Sequence, residues 1–120
     1  MNEKELAKEL LNAVWKEDLT LLSDILMQGA NPSWVFNGYP ILVHAVLMEN
    51  EELVKVLVQA GAKQTGEALG FALEKGLGTM VLPLAYMGIV PKKMNTSKIF
   101  GEYPHRYAPL TFNKRGVMYG

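Results

Sequence analysis

The chain has 120 residues, 49% of them apolar and 20% charged, which fits one packed globular domain. It has no cysteine, which excludes disulfides, thiolate metal ligation and thiol nucleophiles and fits a reducing compartment, so a cytoplasmic protein is expected. Net charge is zero, yet residues 1–90 carry six lysines against eleven acids, and residues 91–120 carry six basic residues against one acid.

The start, MNEKELAKELL, alternates charges on a helical period, unlike the basic and then apolar segments of a signal peptide. The longest uncharged apolar run, Met80 to Val90, has 11 residues and is interrupted by Pro83 and Gly88. A bilayer span needs ~20. A soluble protein without a membrane partner is expected.

Asn2 followed three residues later by Glu5 is a helix-start pattern, and Leu6, Leu10, Ala13 and Val14 then recur at helical spacing, predicting a first helix over Glu3 to Lys16. Asp18 is the expected N-cap of a second helix, whose stripe Leu21, Leu22, Ile25 and Leu26 stops at Gly29. The loop Ala30-Asn31-Pro32-Ser33 leads to Trp34-Val35-Phe36 and then to Asn37-Gly38, a dipeptide that tolerates positive φ at both places and predicts a tight hairpin. A third helix is expected over Ile41 to Met48. A fourth, over Glu51 to Ala60, carries Leu53, Val54, Leu57 and Val58 on one face before Gly61.

Residues 21–30 and 53–62 superpose apolar on apolar and glycine on glycine, at a period of 32. A shorter third copy follows: Ala68 to Lys75, a break at Gly76-Leu77-Gly78, and a last helix expected over Met80 to Met87, with Pro83 in its opening turn or at a kink. Its period is 27, so about five residues are missing where a hairpin would stand.

The unit from Asn37 to Lys63 resembles an ankyrin repeat, whose fingerprint is a glycine-bearing turn, a T-P-L-H-x-A opening and an L-L-x-x-G-A close. Gly38, Leu42, Ala45, Leu53, Val54, Leu57, Val58, Gly61 and Ala62 carry the match. The first unit matches in its later part, through Ala13, Leu21, Leu22, Ile25, Leu26, Gly29 and Ala30, as an N-terminal cap would. Where the family has Thr-Pro-Leu-His this chain has Pro40-Ile41-Leu42-Val43, so the side chains that usually tie neighbouring turns are missing, and His44 is not the family histidine. The resemblance implies an all-α stack of about two and a half helix-turn-helix repeats over residues 1–90, followed by an irregular extension over 91–120.

Chemistry-bearing constellations are sparse. His44 and His105 stand 61 residues apart with no ligand cluster beside either, so no metal or other cofactor is expected, and His44 reads as a hydrogen-bonded packing residue. The acid pairs Glu17-Asp18 and Glu51-Glu52 fall at inter-helix turns, where carboxylates stabilise helix N-termini. Gly76-x-Gly78 lacks the strand and third glycine of a phosphate loop. No nucleophile has an identifiable base, and a non-enzymatic protein is expected.

In ankyrin proteins partners lie against the hairpin tips and the exposed face of each first helix. Carried onto this chain, that mapping selects Trp15, Lys16, Trp34, Phe36, Asn37, Tyr39, Leu47 and Met48 as the partner-binding face, with Glu74 and Lys75 in the third unit. The expected function is protein–protein interaction through this concave face and the tail. Alternatives are a structural subunit anchored by the tail, an inhibitor of a partner protein, and nucleic-acid contact by the tail. Lys92, Lys93, Arg106, Tyr107, Lys114 and Arg115 are the expected tail contacts, mixing base-stacking and phosphate-binding side chains. Their positive charge also suits packing against the acidic body, and part of Pro91 to Gly120 is expected to pack on the body or on a partner.

Overall fold

Each helix starts and stops where the local chemistry requires. The structure, a computed structural model, describes residues 2–93. Its elements are α1 (Glu3–Trp15), α2 (Leu19–Met27), β1 (Val35–Phe36), β2 (Tyr39–Pro40), α3 (Ile41–Leu47), α4 (Glu51–Gln59), α5 (Thr65–Glu74) and α6 (Gly78–Tyr86). The Asn2 side chain accepts from the Glu5 amide at 2.8 Å, and Asp18 accepts from the Leu21 amide at 3.0 Å. Asn50 caps α4 by accepting from both Glu52 and Leu53, at 3.0 and 3.2 Å. These bonds satisfy helix amides that have no intrahelical acceptor.

The ends of α1, α2, α4 and α5 follow one scheme. A residue with positive φ turns the chain, and the amide after it reaches back to a carbonyl in the last turn: Asp18 to Ala13 at 2.9 Å, Ala30 to Ile25 at 3.1 Å, Ala62 to Leu57 at 3.0 Å and Leu77 to Ala72 at 2.8 Å. The left-handed residues are Glu17, Gly29, Glu49, Gly61, Gly76 and Gly88. Glu17, Glu49 and Gly76 are separated by 32 and 27 residues, and so are Gly29, Gly61 and Gly88. The repeat is therefore present in the backbone: three helix pairs, each turning left-handed at the same two places.

Asn37 and Gly38 take φ values of 56° and 80°, and the strands they join pair antiparallel with Val35 opposite Pro40 and Phe36 opposite Tyr39. Between α4 and α5 the chain has no room for such a hairpin. Gln64 turns it at φ 62° and α5 begins at once, at Thr65, ahead of the expected Ala68.

Helices α1, α3 and α5 lie side by side; α2 packs behind α1, α4 behind α3 and against α2, and α6 behind α5. The middle unit has neighbours on both sides. Every residue of α3 from Ile41 to Val46 is consequently buried, and with Leu10, Leu11, Leu22, Ile25, Leu53, Leu57 and Leu84 it makes one continuous core.

Helix α6 differs from expectation. It starts at Gly78, so Pro83 lies in its interior and cannot donate to the Thr79 carbonyl. Beyond Gly88 the chain crosses α5, where the Lys92 amide donates to the Gly66 carbonyl at 2.8 Å. Lys92 and Lys93 are the described part of the expected tail and are exposed; the packing expected of the rest, from residue 94 onward, lies outside the described residues.

Candidate functional site

The repeat geometry sets Trp15, Leu47 and Glu74 at equivalent positions on the last residue of each first helix, and Lys16, Met48 and Lys75 at the C-caps that follow. Stacking α1 on α3 and α3 on α5 brings these two sets into neighbouring rows along the stack. The row is uneven in exposure. Lys16, Glu74 and Lys75 are exposed, Trp15 and Leu47 are half-buried, and Met48 is only 5% exposed.

Three of the residues expected as surface anchors are instead core residues. Trp34 is 5% exposed and Phe36 1%, and Met48 joins them. With one hairpin among the described residues, Trp34 and Phe36 have no adjacent hairpin to lie against and turn onto the helices, while Met48, the C-cap of the middle helix α3, is covered by the units on either side. Phe36 sets its ring edge-on to His44, with centroids 6.2 Å apart. Asn37 and Tyr39 at the hairpin tip are half-buried, and Tyr39 meets Phe71 of the third unit edge-on at 5.7 Å. Lys75 places its ammonium 5.8 Å from the Phe71 centroid. Lys92 and Lys93 are exposed. The other tail contacts, Arg106, Tyr107, Lys114 and Arg115, lie outside the described residues.

His44 is buried, and its Nε2 lies 2.9 Å from the Phe36 carbonyl. A carbonyl only accepts, so Nε2 carries a proton in this bond. Burial holds the imidazole down at about 4, against the opposing pull of the Phe36 and Tyr39 backbone. The ring also faces Trp15 at 6.1 Å. It is a packing histidine that pins the hairpin to α3.

The ties between units come from residues that sequence reasoning had assigned elsewhere. Glu17 Oε1 accepts from the Asn50 side chain at 2.9 Å, and Glu49 Oε1 accepts from the Thr79 hydroxyl at 2.8 Å. Glu17 and Glu49 are equivalent left-handed residues, each holding the start of the next unit's second helix. Ser33 Oγ accepts from the Lys63 amide at 2.8 Å and closes the shortened loop onto the hairpin base. The available signal was a glutamate recurring at the 32-residue period, at Glu17 and Glu49.

Apolar exposure concentrates in the third unit, at Leu73, Leu82, Tyr86 and Val90. On α4, Lys55 meets Glu51 at 2.9 Å and Glu52 at 3.9 Å, and the Glu51 hydrogen bond raises its pKa. Among the described residues there is no group of three His, Asp or Glu side chains able to hold a metal, and no helix is long and apolar enough to cross a membrane.

Compared with known proteins, the chain matches no family model, no curated protein and no solved structure.

Proposed function

We propose that the chain is a non-enzymatic protein-interaction module of ankyrin-like build, binding a protein partner along the ends of its first helices and the hairpin tip. The observation that supports this reading is the recurrence of left-handed turns at Glu17, Glu49 and Gly76 and at Gly29, Gly61 and Gly88. It stacks like-placed side chains into rows, and a row of that kind is the surface that helical repeat arrays use to meet partners. The binding side chains are Lys16, Asn37, Tyr39, Leu47 and Lys75, with Trp15 half-exposed among them; Trp34, Phe36 and Met48 hold the surface from beneath.

The test begins with co-purification of the untagged full-length chain and identification of what accompanies it. Affinity for that protein is then measured for the Lys16→Glu and Lys75→Glu variants, separately and together. A loss of tenfold or more with unchanged helical circular dichroism is expected for the pair. Unchanged affinity in the double variant removes the reading.

A further inference from the structure

Helix α5, ten residues long, holds Gly66 in its first turn and Gly70 one turn further on, in its interior. Glycine is the poorest helix former after proline, so two of them here oppose the helix they sit in. The end of the stack accounts for them. A Cβ at Gly66 would stand 2.7 Å from the Val90 carbonyl oxygen and 3.1 Å from Lys92 Cβ, and one at Gly70 would fall on the Lys92 carbonyl. The Lys92 amide donates to the Gly66 carbonyl at 2.8 Å. Main chain lies directly on main chain, an approach that only glycine permits.

The repeat tells what this face of α5 is. The positions equivalent to Gly66, Gly70 and Leu73 are Tyr39, Val43 and Val46 in the second unit and Ala7, Leu11 and Val14 in the first. All but Tyr39 are buried, at 0–1% exposure, and Tyr39 meets Phe71 of the following unit. In α5 the same face has no following unit among the described residues. It has residues 90–92.

We propose that residues 90–92 are a strap that ends the stack in place of a fourth unit, and that the Gly66–Gly70 pair is the seat for its main chain. The strap lies where the basic tail begins, so its position governs whether this end face is covered. A side chain at the seat lifts the strap while favouring the helix beneath it, so strap and helix respond in opposite directions.

The test uses the full-length chain with Gly70→Ala and, as control, Gly78→Ala, where an added Cβ meets nothing. Amide exchange at Lys92 and tryptic cleavage after Lys92 and Lys93 are followed together with thermal melting. Gly70→Ala is expected to raise both rates at least tenfold with no loss of melting temperature, and Gly78→Ala to leave both rates as in the wild type. Unchanged Lys92 exchange in Gly70→Ala, or an equal rise in both variants, overturns the proposal. Should Gly70→Ala not fold, Lys92→Pro removes the donor without touching α5. It is compared with Lys92→Gln for cleavage after Lys93: faster cleavage supports the strap, and equal cleavage overturns it.

Discussion

The side-chain amide of Asn50 donates to the Glu17 carboxylate at 2.9 Å, across 33 residues and from one unit to the next. Asn50 at the same time caps α4 through its carbonyl oxygen, so one side chain starts a helix and joins two units. Glu17 makes that bond from a left-handed backbone, φ 54°, which glutamate adopts only at a cost of about 1 kcal/mol.

Replacing Glu17 separates these two effects. Glu17→Ala loses the tie and keeps the strain, and is expected to destabilise by about 1–2 kcal/mol; Glu17→Gly loses the tie but relieves the backbone and should cost about 1 kcal/mol less. Asn50→Asp keeps the cap, removes the amide donor and sets a second carboxylate near Glu17, a loss that added salt should reduce. Urea unfolding of the three variants checks the order.

Folding stability should depend on the charge of His44. Its folded pKa of about 4 lies below the ordinary 6.5, so the unfolded chain binds the proton more readily. The contribution is complete above pH 6.5, declines as pH falls, and is gone by about pH 4, with a ceiling of about 3 kcal/mol. Wild type and His44→Leu should therefore converge in denaturation midpoint between pH 7.5 and 5. Parallel midpoints across that range would assign the acid sensitivity to other groups.

Phe36 and Lys16 were expected on one surface, and their variants should behave oppositely. Phe36→Ala empties a fully buried site and is expected to cost about 3–5 kcal/mol, whereas Lys16→Glu should stay within about 0.5 kcal/mol. Thermal denaturation distinguishes them, and a mild Phe36→Ala would contradict its place in the core.

Gly29 and Gly61 test the turn scheme without steric interference, since a Cβ at either meets nothing within 4 Å. With φ of 109° and 97°, alanine at each should destabilise by about 1–2 kcal/mol through backbone conformation alone. Equal losses at the two sites, measured by denaturant midpoint, would reflect their equivalence in the repeat.

Much of the local architecture was legible from residue order. Asn2, Asp18 and Gly29, the Asn37-Gly38 turn and the 32-residue offset each act through their own backbone or through neighbours a few residues away, and the helices stand close to where these signals put them. The missing hairpin in the third unit followed from a count of residues. Which side of the surface a residue reaches was not legible. Trp34, Phe36 and Met48 have the chemistry of interface anchors, and equally of a core, and only the packing of one hairpin on α3 decided between the two.

The same division holds for Glu17, Asn50 and the glycines of α5. Sequence by itself determined the caps, the turns and the repeat period, because those are contests between a side chain and its own local backbone. Tertiary structure alone decided that Glu17 ties two units, that the packing histidine His44 takes the Phe36 carbonyl as its partner, and that Gly66 and Gly70 receive Lys92. Each of these depends on groups from different elements meeting in the packed chain, and no local propensity carries that information.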